Sequence, residues 1–209
     1  MSAVYQNAIY LKNYSKFMDI DSKKIAGLLL FIGAAQFILG IMISEALYSG
    51  YSISQNYISD LGVGPSALIY NSSLFFLGIL GIASTYFIQR AFKSSIFTVL
   101  LALVSIGAVG VSIFTENFQP IHTILSLITF AFGGISAIAS YRFEQPPLSY
   151  VSVILGAVTL SALVLGISGI NLNLGVGGIE RLVAYPELLW MMGFGAHLIG
   201  DSGTHGNNK

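Results

Sequence analysis

The chain has 209 residues, of which 55% are hydrophobic and 9% charged, with a formal net charge of zero and a mean hydropathy of +0.79. Soluble domains carry roughly 25% charged residues, so the composition excludes an ordinary water-facing surface, and the neutral balance offers no attraction for nucleic acid. With no cysteine, the chain cannot form disulfides, thiolate metal sites or a cysteine nucleophile.

Residues 1–24 are polar and hold Lys12, Lys16, Lys23 and Lys24, and they read as a cytoplasmic N-terminal segment. The apolar run that follows is longer than a signal-peptide core and lacks a small-residue cleavage site, so it reads as a retained span. A helix needs about 20 apolar residues to cross the hydrocarbon core. Six segments meet that length, at about 25–44, 67–88, 96–114, 121–141, 148–170 and 179–199. The stretches Thr115 to Pro120 and Arg142 to Pro147 are turn chemistry, each with a Pro placed where a new helix can start. Residues 201–209 read as a short cytoplasmic tail that ends disordered. The fold class is therefore all-α: one polytopic membrane domain over 25–200, a bundle of six transmembrane helices. Small residues such as Gly33, Gly40, Gly78, Gly81, Gly133 and Gly134 allow close helix approach in lipid. Residues 78–87 also echo residues 134–143, which suggests a repeated helical hairpin.

This topology sorts the basic residues. The four lysines, Arg90, Lys93, Arg142 and Lys209 fall on one side, and Arg181 is the single exception. The positive-inside rule then places both termini in the cytoplasm of a cell-membrane protein. The outward side collects Glu45, Asp60, Glu116 and Glu180.

Ionisable residues within a span are disfavoured by about 2.5–3.5 kcal/mol each and mark pairing or function. The candidates are Asp60 in the first outward loop, Asn71 two turns into the second span, and Glu116 and His122 around the third turn. The sixth span adds Glu180, Arg181, Tyr185 and Glu187. Tyr185 follows Arg181 by four residues and shares its face, and Glu180 and Glu187 lie seven apart. Pro186 removes the donor to Leu182 and kinks this helix. The stripe is expected to face the bundle interior, with Arg181 paired to Asp60, Glu116 or Glu180 and Asp60 held under an inward-packed loop. Asp60, Glu116 and His122 are also suitable ligand types for a divalent metal such as zinc.

At these residues the chain resembles the domain-of-unknown-function 998 family of small archaeal and bacterial membrane proteins. The resemblance runs through Ile58-Ser-Asp-Leu-Gly62, Asn71-Ser-Ser73, Glu116 with His122, and Glu180-Arg-Leu-Val-Ala-Tyr-Pro186 followed by Trp190. A more distant similarity, through Asn117-Phe-Gln119 and His122, is to the six-span Frag1/DRAM/Sfk1 group. The family brings no activity, but it implies that Asp60, Asn71, Glu116, His122, Glu180, Arg181 and Tyr185 are the positions to suspect.

Three functions fit this reading. One is an outward polar pocket, with Glu187 beneath it, for a lipid head group or small polar ligand, with Arg181 as the anion contact. Another is an intramembrane metal-dependent hydrolase or lipid-modifying enzyme built on Asp60, Glu116 and His122. The third is a small-solute or proton-coupled transporter in which Glu187 titrates. The sequence shows no nucleotide fingerprint, and it leaves the cofactor, the oligomeric state and any partner beyond membrane lipid open.

Overall fold

A computed structural model describes residues 3–204, with side chains described for 22–201. Among them every regular element is helical: α1 (Ala3–Leu47), α2 (Ala67–Phe92), α3 (Ser95–Ile113), α4 (Ile121–Ala139), α5 (Leu148–Ile167) and α6 (Gly175–Thr204). Each contributes one segment long and apolar enough to cross a membrane, the first being Ser22–Leu47 and the last Gly175–Asp201. The side chains of Lys12, Lys16 and Lys209 lie outside the described residues; of the tail expected to end disordered, residues 201–204 continue α6 and the remainder lies outside the described residues.

The breaks between helices follow local chemistry. Lys93 turns α2 off in the left-handed region and donates its N–H to Gln89 O at 3.0 Å. Gly169, at φ +72°, does the same after α5. Pro120 and Pro147 sit immediately before α4 and α5, where a missing N–H costs no helical bond. Short 3-10 turns cover Ser59–Gly62 and Ser140–Phe143. The first span continues past 44 to Leu47 and the sixth begins at Gly175 rather than 179. The first extension adds Glu45 and the sixth adds Gly175, Gly177 and Gly178, residues that hydropathy alone trims away.

Consecutive helices pack side by side, and α6 returns to α1, closing a ring in which α4 and α6 also meet across the middle. Small residues set these seams. A Cβ on Gly27 would lie 2.5 Å from Gly195 O, and one on Gly156 would lie 2.5 Å from Gly134 O. Gly78 and Gly134 each pack against the next helix in the chain, equivalent seams for the two echoed segments. At Pro186 the helix loses the bond to Leu182 O, and Thr159 Oγ1 on α5 donates to the adjacent carbonyl, Val183 O, at 3.1 Å.

The ring has two unlike ends. The termini end holds the start of the first span, the 93–94 and 140–147 turns and the close of α6, where Lys23 bridges to Asp201 at 2.6 Å. It is filled by rings: Trp190 stacks on Phe194 at 5.9 Å, Phe97 meets Phe194 at 5.6 Å, and Phe143 lies 4.5 Å from Phe92 and 4.8 Å from Phe97. The loop end holds residues 48–66, 114–120 and 168–174, and carries most of the suspected residues.

Candidate functional site

The loop end is assembled on the first turns of α6. Gly175 (φ +76°) and Gly177 let the 48–66 loop lie directly on the helix: a Cβ at either would come within 2.0 Å of the carbonyl of Ser54 or Asn56, respectively. Gly177 N–H donates to Ser54 O at 3.1 Å. One turn further on, Arg181 Nη1 donates to Ile53 O (2.8 Å) and Gly177 O (2.9 Å), and Nη2 to Glu45 Oε1 (2.5 Å) and Tyr51 Oη (2.8 Å). The guanidinium also lies 5.6 Å from the centre of the Tyr51 ring. Burial pushes the Tyr51 phenol up to about 12, with Arg181 opposing.

Two expectations are corrected here. The salt-bridge partner of Arg181 is Glu45, not Asp60, Glu116 or Glu180, because α1 runs on to Leu47 and packs against α6. With only 7% of its surface exposed and both terminal nitrogens engaged, Arg181 fastens the loop and is no anion contact for a ligand.

Asp60 is likewise committed to its own loop. Its Oδ2 accepts from Asn56 Nδ2 (2.9 Å) and from Tyr57 N–H (3.0 Å). Asn71 Nδ2 donates to Gly62 O at 2.8 Å, tying the 3-10 turn to α2. Between these anchors Ile58, Ser59 and Leu61 are buried, so the loop packs into the ring as expected. Ser59 Oγ donates to Glu116 Oε1 at 2.5 Å, and Ile58 N–H donates to the Glu180 carboxylate. Burial, and then the neighbouring Asp60, push the Glu116 carboxyl above the usual carboxylate range, with Ser59 opposing.

His122 is buried, and its Nδ1 lies 2.8 Å from Phe114 O. A carbonyl oxygen only accepts, so Nδ1 carries a hydrogen and donates it to Phe114 O. The metal set of Asp60, Glu116 and His122 is also corrected: among the described residues no three His, Asp or Glu side chains are grouped to hold an ion. Asp60 and Glu116 are turned to loop donors, and His122 is anchored to the backbone of its own turn.

Two spaces open inside this framework. A cleft of about 450 Å³ lies among α4, α5 and α6, with Glu116, Gln119, His122 and Thr123 on its polar side and Leu127, Phe130, Leu163, Ile167 and Val183 on its apolar side. A second cavity, of about 60 Å³, lies within the ring between α1, α2, α3, α4 and α6 and reaches Glu187. Ser59, Ser126, Phe130 and Glu180 line both spaces and form the wall between them. Of the eight suspected residues, Glu116, His122 and Glu180 therefore face the cleft, and Glu180 and Glu187 face the inner cavity. Asp60, Asn71, Arg181 and Tyr185 line neither; Tyr185 is half-buried beside Arg181 and Glu45.

The family profile described as "Protein of unknown function (DUF998)" matches residues 31–197. The chain belongs to the DUF998 family. Comparison with curated proteins and with solved structures finds no match, and nothing found carries the more distant likeness to the Frag1/DRAM/Sfk1 group.

The DUF998 match spans a second polar knot, at the termini end, that residue patterning does not reveal. Glu144 is buried, its Oε2 lies 2.9 Å from Ser140 Oγ, and Trp190 Nε1 donates to the same Ser140 oxygen at 2.9 Å. Burial pushes the Glu144 carboxyl up, with Ser152, Ser140 and His197 opposing. In sequence Glu144 is one more polar residue of a turn. Trp190, four residues beyond the motif that holds Arg181, is the one sequence signal at this knot. The other residues missed were Glu45 and Tyr51. Both lie at the loop end, and both are more than a hundred positions from the arginine they hold.

Proposed function

We propose that this DUF998 protein sits in the cell membrane with both termini cytoplasmic, and that its outward cleft binds an amphiphile of the membrane. The orientation follows from the distribution of basic residues. The observation that carries the ligand is the cleft itself, which has the size of a small-molecule site, apolar walls and a few convergent polar groups at one end. Its apolar walls come from α4, α5 and α6 within their membrane-spanning segments, at the depth of lipid chains.

The chemistry of the polar end selects the head group. Glu116, Glu180 and Gln119 offer acceptors, and among the described residues no Lys or Arg lines the cleft. Such a rim favours a head bearing donors, a hydroxyl or an ammonium, over a bare phosphate. Neither metal-dependent chemistry nor anion capture by Arg181 has a residue set to support it.

Mass spectrometry of lipid retained by the protein in native nanodiscs tests this reading. The wild type should hold a specific amphiphile, Leu163→Trp should lose it by filling the apolar half, and Glu116→Gln should weaken it. Equal lipid retention by wild type and Leu163→Trp, with both folded, would overturn it.

A further inference from the structure

The inner cavity ends on a carboxyl group that the rest of the fold does not explain. Glu187 is 5% exposed, and its Oε2 has no hydrogen-bond partner among the described residues. The group is nonetheless given space. A Cβ on Gly133 of α4 would lie 2.1 Å from Glu187 Cδ, so only glycine there leaves room for the carboxyl. An isolated charge in such surroundings is strongly disfavoured, and among the described residues no counter-ion lines the cavity. The cavity walls hold Phe37 from α1, Tyr70 from α2, Ser105 from α3 and Thr129 from α4, with Ile58 and Ser59 from the loop. Glu180, one more acid, is the only other carboxyl, and no Lys, Arg or His is present. The hydroxyls around it are turned to other acceptors, Ser105 Oγ to Leu101 O at 2.7 Å, Thr129 Oγ1 to Leu125 O at 2.9 Å and Ser59 Oγ to Glu116 Oε1 at 2.5 Å, and a proton needs no shell of ligands.

Access to the carboxyl is asymmetric. Toward the loop end, the cavity has about 60 Å³ of room and shares Ser59, Ser126 and Glu180 with the cleft. A water molecule needs about 10–15 Å³ of such space, so a short file of waters fits between Glu180 and Glu187. Toward the termini end, Trp190 and Phe194 are buried within one and two turns of Glu187, and Phe97 and Phe143 pack against Phe194 or each other.

We propose that Glu187 is a proton-loading site served from the loop end alone. A proton passes from the cleft along water and Glu180, forms an O–H bond on the Glu187 carboxylate, and leaves by the same route, with no electron transferred. This does not depend on which ligand occupies the cleft.

Infrared spectroscopy of the full chain, reconstituted in one orientation, tests the site. The wild type should show a protonated-carboxyl band that is lost in Glu187→Gln and shifted in Glu187→Asp. The second variant still assigns the band if the first fails to fold. The band should follow the pH on the loop side only, and Ser126→Leu, which thickens the shared wall, should slow its exchange with deuterium. A band that survives in Glu187→Gln and stays unshifted in Glu187→Asp would overturn the proposal. So would a band that follows pH from the termini side, or that answers pH on neither side.

Discussion

At the loop end a buried charge is held by many partners near an open cleft; at the termini end a buried carboxyl is held by a few partners inside solid packing. Arg181 gathers Glu45, Tyr51 and backbone carbonyls from the 48–66 loop and from α6 itself, beside a cleft of about 450 Å³. Glu144 has Ser140 close by, with Trp190 locked to the same hydroxyl and a cluster of four phenylalanines behind it. The contrast shows how a small bundle divides its labour. In lipid the hydrophobic effect does not hold helices together, so shape and hydrogen bonding must. One end uses shape, and the other leaves a cleft open beside it and uses hydrogen bonds.

The comparison breaks most visibly at Arg181. Arg181→Ala leaves Glu45 uncompensated and frees the loop, and should destabilise the protein by about 3–5 kcal/mol. Thermal melts in detergent would measure it, and the loop should become sensitive to protease at the same time. Arg181→Lys should recover only part of the loss, since one ammonium cannot reproduce a guanidinium reaching several partners.

The packed end should respond less per residue. Phe194→Ala opens a cavity on the order of 100 Å³, and at about 24 cal/mol per Å³ this costs roughly 2 kcal/mol, because a lipid-solvated reference removes most of the transfer contribution. Its melt should fall without any gain in protease sensitivity of the loop. Trp190→Phe keeps the ring but removes the donor to Ser140, and should cost about 1 kcal/mol in the same assay.

The smallest effect is electrostatic. Burial and Asp60 hold the Glu116 carboxyl above the usual carboxylate range, so the folded chain keeps this proton better than the unfolded one. The resulting stabilisation is complete below the usual range and is lost as pH rises through the higher, folded value. For a half-buried group solvent screening keeps this contribution small. Melting temperature should therefore decline slightly from acid to neutral pH, and Glu116→Gln should flatten that part of the profile.

How much of this was legible depended on distance along the chain. Six spans follow from apolar runs and turn residues, which are local signals, and the inward stripe of α6 follows from helical spacing. That Arg181 needed a partner was equally clear. Which partner was not, since Glu45 and Asp60 differ only in where α1 ends and which helix it meets. Asp60 carried a local clue in its spacing of four from Asn56, the residue whose amide it accepts. The aromatic cluster draws on residues 92, 97, 143, 190 and 194, and no window of sequence contains more than two of them. Cavities are harder still, because they record where side chains fail to meet.

The Lys23–Asp201 bridge has a consequence for the chain as a connected string. It holds the entry of the first span beside the exit of the last, so the order in which the six helices are written is nearly circular in space. A chain re-cut in the 168–174 turn, with a short linker joining residues 201 and 22, would visit the same neighbours in the same sequence. Such a permuted protein, lacking residues 1–21, is expected to insert and fold.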